Sequence, residues 1–487
     1  MPDIKQQAFI RKLRKHIPAS CILSESADLL PYECDGLSAY RQTPWLVALP
    51  ETAAQVQGIV RCCHESSIAI VARGAGTGLS GGALPINNGL LLSLAKLKDI
   101  LSIDPANRLA TVQPGVRNIA ITQAASKYGL YYAPDPSSQI ACSIGGNVAE
   151  NAGGVHCLKY GLTVHNIASL KIITIEGEQL TIGSAGFDSP GYDLLALLTG
   201  SEGLLGIITE VTVRLLPAPE FAQVILASFS TVEAAGDAVT AVISSGIIPA
   251  GLEIMDHLAI RAAEDFVHAG YPVDAAGLLL CELDGAKTEV ISQMESVKET
   301  LQKAGANSLL IAKDEAERQR FWAGRKAAFP AVGRLAPDYY CMDGTIPRKH
   351  LGKVLATISQ WSAEYGLPVA NVFHAGDGNL HPLILYDANK PGELERTEEF
   401  GGRILELCIS VGGTITGEHG VGMEKINQMC SQFTAAELQQ FHAIKAAFDP
   451  EGLLNPGKAI PTLVRCAEFG QMHVHQGALP FPELERF

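Results

Sequence analysis

Four residues in two glycine-rich segments have the side chains and spacing of a metal site beside a base. His374 and His381 flank a Gly-Asp-Gly-Asn turn in "FHAGDGNLHP", and Glu418 and His419 lie between glycines in "TGEHGVG". Two imidazoles and one carboxylate commonly bind a divalent transition metal such as zinc or manganese, leaving positions for a substrate. The spacing differs from the helical H-E-x-x-H motif, so the sequence predicts a site built from loops.

This interpretation depends on the fold bringing the two segments together, because two histidines seven residues apart are more often unrelated. Adjacent residues of an extended strand point to opposite faces, so Glu418 and His419 can face one site only where the backbone bends. Gly417 and Gly420 permit such a bend.

A predicted helix with the sequence "DEAERQRFWAGRKAAF" supplies a cation on an apolar face. Asp314 is placed to cap its N-terminus. Phe321, Arg325 and Phe329 follow at intervals of four, on the same side as Trp322. An arginine on an apolar face needs a partner. The residues alone do not decide whether that partner is a substrate carboxylate or a carboxylate of the protein in an internal salt bridge.

Residues 73–82, "RGAGTGLSGG", contain the G-x-G-x-x-G pattern of nicotinamide-binding βαβ units. That motif needs a helix directly after the glycines, whereas "ALPINNGLLLSL" follows and predicts a turn and another strand. The sequence therefore excludes the nicotinamide interpretation and predicts a strand–loop–strand unit. Its successive backbone N–H groups could bind a pyrophosphate without lysines, although a tight structural turn is the alternative.

Composition narrows the class of protein. The 487 residues carry a net charge of −14, which argues against a nucleic-acid binder. The eleven cysteines include no C-x-x-C pair, so an iron–sulfur or zinc cluster of usual spacing is not expected. The odd cysteine count favours a reducing cytoplasm. Residues 1–18 predict a docking helix, with a transit peptide as the alternative.

The pattern of elements predicts an α+β fold with two domains. Short apolar strands alternate with glycine-rich loops over 42–217, and "LLPAPE" at 215–220 indicates a boundary. Longer helices alternate with strands over 222–440. We therefore expect an N-terminal domain at 1–219 with its core at 42–219, a second domain at 220–440, and a C-terminal return segment at 441–487.

Long motifs carry a resemblance to a known family. "PDPSSQIACSIGGNVAENAGGVHCLKYGLTVHN", "GYDLLALLTGSEGLLGIITEVTVRLLP", "GEHGVGMEKINQMC" and "HVHQGALPFPELERF" are among them. They resemble the FAD-linked oxidases of the vanillyl-alcohol oxidase superfamily, and among these the FAD-linked 2-hydroxy acid dehydrogenases that serve bacterial glycolate oxidases as catalytic subunits. The likeness runs from Pro31 to Phe487. It implies a PCMH-type FAD-binding domain followed by a substrate, or cap, domain with an antiparallel sheet covered by helices.

The resemblance also implies which residues bind FAD. They are Arg73, Gly74, Ala75, Gly76, Thr77, Gly78, Leu79, Ser80 and Gly81 around the pyrophosphate, then Pro134, Asp135, Pro136, Ser137, Ser138, Gly145, Gly146, Asn147, Gly153, Glu202, Gly203, Gly206 and Ile208 along the rest of the cofactor. Family members with covalent flavin often carry a histidine in the first loop, where this chain has Thr77. We therefore expect non-covalent FAD.

By the same resemblance, His374, His381 and Glu418 bind a divalent metal, His419 is the base, and Arg325 binds the substrate carboxylate. The implied reaction is metal-assisted deprotonation of the substrate hydroxyl with hydride transfer to flavin N5, which oxidises glycolate to glyoxylate. The alternatives are a D-lactate or other D-2-hydroxy acid dehydrogenase and a non-redox flavin enzyme. A metal-only oxygenase would leave the glycine-rich loops unexplained.

Partners and location are likewise implied by the family. Its glycolate oxidases contain a companion FAD-binding subunit and an iron–sulfur subunit, and the absence of C-x-x-C from this chain suits that division. We expect no nucleic acid and no direct membrane span. The expected location is the cytoplasm, with any association with the inner face of the membrane made through partners.

Overall fold

The computed structural model of the protein describes residues 4–186, 191–462 and 465–466. Internal contacts divide the chain into two compact units. The first contains the described residues of 1–152, 162–217 and 419–487, and the second contains 153–161 and 218–418. Residues 419–440, which the sequence assigned to the second domain, pack with the first unit. The motif "HVHQGALPFPELERF" lies outside the described residues.

The strands are β1 (Ile22–Leu23), β2 (Leu46–Ala48), β3 (Ile70–Arg73), β4 (Leu90–Ser93), β5 (Ile100–Asp104), β6 (Leu109–Val112), β7 (Leu130–Tyr131), β8 (Ile167–Ile173), β9 (Gln179–Gly183), β10 (Ile207–Arg214), β11 (Leu216–Pro217), β12 (Phe221–Phe229), β13 (Gly251–Asp256), β14 (Gly277–Gly285), β15 (Ser308–Ile311), β16 (Asp338–Cys341), β17 (Val369–Phe373) and β18 (Pro382–Tyr386). The α-helices are α1 (Ile4–Leu13), α2 (Ser26–Leu29), α3 (Ala53–His64), α4 (Asn118–Ala125), α5 (Ile144–Glu150), α6 (Cys157–Tyr160), α7 (Leu194–Leu198), α8 (Val232–Ser244), α9 (His257–Val267), α10 (Lys287–Lys303), α11 (Glu315–Lys326), α12 (Ala328–Val332), α13 (Leu351–Tyr365), α14 (Glu393–Ser410), α15 (Ile426–Gln432) and α16 (Ala435–Phe448). Among these described helices, none is both long and apolar enough to cross a bilayer.

The first unit contains two larger sheets. One has the strand order β1-β2-β4-β3, in which β4 is parallel to both β2 and β3, and the other is the antiparallel sheet β5-β6-β10-β8-β9. The glycine-rich segment joins β3 to β4 without an intervening helix, as the sequence predicts. The predicted N-terminal helix is present as α1, and its apolar residues Phe9 and Leu13 pack in the core with Ile17.

The second unit is built on one antiparallel sheet with the order β15-β12-β14-β13-β17-β18-β16. Runs of apolar residues such as "GLLLC" in β14 are buried, because α8, α9 and α10 pack against the central strands. The short segment 153–161 joins this unit. Lys159 and Tyr160 bond the side chain of Asp284, and His156 Nε2 lies 3.2 Å from a carboxylate oxygen of Glu282.

One feature of the first unit was not predicted. Cys430 and Cys466 form a disulfide, with their Cα atoms 5.4 Å apart, while the other nine cysteines are free thiols. The scattered cysteine spacing gives no sign of this pair, because the two positions meet only through the packing of α15 with the segment after α16.

Candidate active site

The glycine loop predicted to bind FAD lies at the end of β3. Nη1 of Arg73 donates to the carbonyl oxygen of Cys34 over 2.6 Å, so this arginine anchors the start of the loop. Gly76 has φ +71, and a Cβ atom there would lie 2.2 Å from the guanidinium of Arg73. A side chain at Gly76 would strain the backbone and displace the Arg73 guanidinium, so glycine is favoured there.

A cavity of about 390 Å³ opens beside this loop in the first unit. Gly74, Ala75 and Ser143 line it together with the cationic side chains Lys98 and Arg117. Its volume lies within the ordinary range for ligand pockets. Sequence reasoning missed Lys98 and Arg117, because both lie in segments without a recognisable motif.

Two buried asparagines shape the next predicted part of the FAD site. Ser143 caps α5 by accepting the N–H of Gly146. Asn118 donates from Nδ2 to the carbonyl oxygen of Pro134 and to Oδ1 of Asn147, over 3.0 and 3.1 Å. These bonds hold the 134–138 segment against the start of α5. Gly153 instead belongs to the segment that packs with the second unit.

Glu202, which is predicted to lie along the cofactor, holds backbone groups of the first unit in place. Its carboxylate is buried and accepts the backbone N–H groups of Val421 and Gly422 over 2.7 and 2.8 Å. Asn455 donates to the carbonyl oxygens of Glu202 and Gly82 over 2.7 and 3.0 Å. The segment that follows His419 in the chain is thus tied to the glycine loop within the first unit.

Two buried lysines reinforce the same region. Lys425 donates to Oγ of Ser80 and to the carbonyl oxygen of Gly420, over 3.1 and 2.9 Å. Lys458 donates to the carbonyl oxygens of Gly82 and Leu84. Burial lowers the pKa of Lys458 to about 8, although nearby carboxylates raise it in part. In this structure Lys458 supports the loop through its carbonyl groups.

In the second unit, a hairpin turn between β17 and β18 holds the two predicted histidine ligands. The backbone N–H of His374 donates to the carbonyl oxygen of Asn379, and the N–H of Asn379 donates to the carbonyl oxygen of His374. Gly378 turns the chain with φ +86. Because this turn closes directly between the strands, the rings of His374 and His381 lie 5.1 Å apart. Both histidines are buried.

Glu418 completes the predicted ligand set. Its Oε1 lies 3.1 Å from Nε2 of His381 and 3.6 Å from Nε2 of His374. One ligand atom from each of the three residues lies within 4.8 Å of the others. Gly417 is required next to Glu418, because a Cβ atom there would lie 2.5 Å from the Asn379 amide. His419 is half-buried and begins the next segment of the first unit, after which Gly420 adopts φ +74.

Asp343, which sequence reasoning missed, holds the backbone around Glu418. Its carboxylate accepts Oγ1–H of Thr416 over 2.7 Å and the N–H groups of Gly417 and Glu418 over 3.2 Å. It also lies 3.7 Å from Nε2 of His381. The one signal in the sequence is the Asp-Gly pair that follows the apolar residues of "YYCMDG", directly after β16.

Arg325 lies on α11, whose N-terminus Asp314 caps as predicted by accepting the N–H of Glu317. Its side chain is 1% exposed, and Nη2 lies 2.6 Å from Oε2 of Glu253. The internal salt bridge considered from the sequence is therefore present. Among the described residues, Nε of Arg325 has no hydrogen-bond partner, so the guanidinium retains a donor for a ligand.

Glu253 was also missed. It is a fully buried glutamate between the apolar residues Leu252 and Ile254 of strand β13, and it contacts His374 as well as Arg325. A charged residue inside an apolar strand signals a buried partner, but the sequence cannot identify the partner because it lies 72 or 121 positions away in the chain.

The site favours positive charge between its carboxylates. Burial alone opposes ionisation of Glu418, but hydrogen bonds and charge from His374 and His381 hold the pKa of Glu418 well below its ordinary value. Burial also opposes protonation of His374, yet Glu253 and Glu418 raise the pKa of His374 well above its ordinary value. The pKa of His381 is raised against burial by Asp343 and Glu418.

These residues fit a divalent cation. Glu253, Asp343 and Glu418 are buried carboxylates, and Arg325 is a buried guanidinium. With both imidazoles neutral, the buried carboxylates outnumber the guanidinium, and a divalent cation would offset the resulting excess of negative charge. Nε2 of His374 and Oε1 of Glu418 lie 3.6 Å apart, a separation at which both atoms can be ligands of one cation.

Family comparisons divide the chain into two parts that differ from the two compact units, because the second part includes residues 419–459. The family model described as "FAD binding domain" matches residues 44–183, and the model described as "FAD linked oxidases, C-terminal domain" matches residues 218–459. Both matches respect the boundary near residue 217.

Relatives that match most of the chain carry two descriptions. The chain is 65% identical to glycolate oxidase subunit GlcD of Escherichia coli K12, over 100% of this chain and 98% of the relative. It is 39% identical to the subunit of the same name from Bacillus subtilis, over 89% and 92%. D-lactate dehydrogenase of Anaerostipes hadrus is 32% identical, over 92% and 96%.

Among solved structures, 4-ethylphenol oxidase from Gulosibacter chungangensis is similar with a TM-score of 0.79 at 17% identity, covering 95% of this chain and 99% of that one. At this identity the likeness concerns the fold alone. It confirms the predicted α+β, PCMH-type architecture.

Proposed function

Since the chain belongs to the FAD-linked oxidase family that includes glycolate oxidase subunit GlcD, we propose that this FAD-linked oxidoreductase converts glycolate to glyoxylate. The observation that carries the proposal is the buried cluster of His374, His381 and Glu418 within 4.8 Å, in the same unit as the buried Arg325. Such a cluster can bind the hydroxyl end of a 2-hydroxy acid through a cation.

The three ligand residues would hold a zinc or manganese ion. Bound there, the ion would lower the pKa of a coordinated hydroxyl group by several units. Asp343 keeps the backbone of Glu418 in place through two N–H groups, and the Asn379 turn keeps both histidines on one side of the hairpin.

Arg325 binds the substrate carboxylate. Its Nη2 is held by Glu253, while Nε has no hydrogen-bond partner among the described residues. A planar guanidinium suits a carboxylate, and burial strengthens the attraction because water does not screen it.

Oxidation breaks the C–H bond at the α-carbon and the O–H bond of the hydroxyl. An imidazole nitrogen of His419 accepts the hydroxyl proton. FAD, when bound, supplies the acceptor for the hydride and its electron pair at N5. The products are glyoxylate, reduced flavin and a protonated His419.

FAD is held without a covalent bond, by the backbone of residues 73–81 and by the other residues that the family resemblance implies. The cavity beside Gly74 and Ala75 supports this, because it adds Lys98 and Arg117 to a loop that otherwise offers N–H groups. Thr77 offers no nucleophilic imidazole for a flavin linkage.

D-lactate or another D-2-hydroxy acid is the second candidate substrate. It is favoured by the relative described as D-lactate dehydrogenase, which matches 92% of this chain. The chemistry of the cluster is the same for both substrates, so the difference lies in the space around the α-carbon. Mixing the FAD-loaded protein with each acid without oxygen, and timing the loss of the oxidised flavin band, separates them. Faster reduction by glycolate supports glycolate as the substrate. Faster reduction by D-lactate supports D-lactate instead and refutes the proposed substrate.

We also propose that the chain acts as a subunit with a companion FAD-binding subunit and an iron–sulfur subunit. The relatives' own description as a subunit supports this, as does the absence of C-x-x-C from the sequence. The expected location is the cytoplasm, with contact to the membrane made by the partners. Co-purification of the tagged chain with proteins that carry iron–sulfur absorbance would support the assembly, and recovery of the chain alone from cells that express all components would oppose it.

A further inference from the structure

Glu253 occupies an unusual position for a carboxylate. It lies in β13 with no exposed surface, between the apolar residues Leu252 and Ile254. Both of its oxygens lie within hydrogen-bond distance of Nδ1 of His374, at 2.9 and 3.1 Å, and Oε2 lies 2.6 Å from Nη2 of Arg325. A buried carboxylate is tolerated only where such partners compensate its lost hydration.

The contact with His374 fixes how that ring is used. Because an ionised carboxylate can only accept hydrogen bonds, Nδ1 of His374 is the donor and carries the hydrogen. The lone pair of the neutral ring is then on Nε2, the atom that faces Glu418 at 3.6 Å. Carboxylates that hold metal-binding histidines in this way commonly change metal affinity when they are replaced.

The contact with Arg325 fixes a second group through the same carboxylate. A 2-hydroxy acid carries its hydroxyl and its carboxylate on adjacent carbons, so the groups that bind them must keep a constant separation. Glu253 touches one residue of each kind, and both lie in the same unit.

We propose that Glu253 is a positioning residue that holds the metal ligand His374 and the carboxylate-binding Arg325 as one unit. This inference rests on the proposed function, since it assumes the metal site and the role of Arg325. Glu253 itself contacts neither substrate nor cofactor in this account.

The second unit contains a matched control in Glu282, on the neighbouring strand β14. This residue is also buried and also contacts one arginine and one histidine, with Arg318 Nη1 at 2.6 Å and His156 Nε2 at 3.2 Å. It does not belong to the cluster of ligand residues. Glu282→Gln therefore reproduces the loss of a buried carboxylate without touching the proposed site.

The test measures the affinity of the metal-free, FAD-loaded protein for zinc and for manganese by competition with a chromophoric chelator. Glu253→Gln should weaken binding by about 10-fold to 100-fold, whereas Glu282→Gln should stay within about two-fold of wild type. In steady state, Glu253→Gln should also raise KM for glycolate, because Arg325 loses its anchor. Equal metal affinity of wild type and Glu253→Gln would overturn the inference, and so would equal losses in both variants.

Two further results keep the test decisive. If Glu253→Gln does not fold, Glu253→Asp keeps the charge but withdraws it by one methylene group, and it should weaken metal binding in the same direction. Wild-type affinity in Glu253→Asp would then overturn the inference. A wild-type protein that binds neither metal would instead refute the proposed metal site, so the two failures are distinguishable.

Discussion

Replacing Lys458 with methionine is expected to abolish a gain in stability that the wild-type protein shows as the pH rises from about 8 to 10.5. Burial lowers the pKa of Lys458 from 10.5 to about 8 in the folded chain. Over this window the unfolded chain binds the proton and the folded chain does not, so the free energy of unfolding rises with pH. The pKa difference corresponds to about 3 kcal/mol, at about 1.4 kcal/mol for each tenfold change in proton affinity.

The assay is urea-dependent pulse proteolysis across this pH range, with peptides of the first unit quantified by mass spectrometry. Other groups titrate over the same range, so the informative quantity is the difference between wild type and Lys458→Met. Lys303→Met is the control, because the Lys303 side chain is 80% exposed and its removal should leave the rise intact. Parallel curves for wild type and Lys458→Met would refute the assignment of an unfavourable buried charge to Lys458.

Three further predictions concern the reaction and the disulfide. His419→Asn should retain FAD but slow anaerobic flavin reduction by glycolate about 100-fold or more, since a positioned base contributes at least that factor; reduction at the wild-type rate would remove His419 as the base. Arg325→Met should raise KM for glycolate about 100-fold and lower the melting temperature, because it leaves the buried Glu253 without its cation; an unchanged KM would mean that the carboxylate binds elsewhere. Cys430→Ser should lower the free energy of unfolding of the oxidised protein by about 4 kcal/mol, since the disulfide spans 36 positions; a wild-type protein whose urea midpoint is insensitive to dithiothreitol would contradict this.

Much of the fold could be predicted because the signals are local. The glycines of 73–82 followed by Pro85 and an Asn-Asn-Gly turn indicate a loop between two strands, and the structure has β3 and β4 there. The spacing of Phe9, Leu13 and Ile17 at intervals of four is also a local signal, and it indicates the N-terminal helix that packs in the core.

The site could be predicted only in part, because its support comes from distant residues. His374 and His381 flank a Gly-Asp-Gly-Asn turn that a sequence reader can find, and the structure brings their ligand atoms within 4.8 Å of Glu418. Glu253 and Asp343 lack such a signal, since each is a single carboxylate whose partners are set by sheet register and loop packing. The same limit applies to the packing of 419–440 with the first unit, since its bonds to Ser80 and Glu202 link positions more than 200 apart.

The central claim is that glycolate oxidation depends on a cation held by His374, His381 and Glu418. The most direct measurement is anaerobic reduction of the FAD-loaded protein by glycolate, first after removal of divalent metal with a chelator and then after addition of zinc or manganese. We predict that the oxidised flavin band persists in the metal-free protein and bleaches once metal is supplied, and that His374→Ala shows no such response. Bleaching of the metal-free protein at the full rate would contradict the claim.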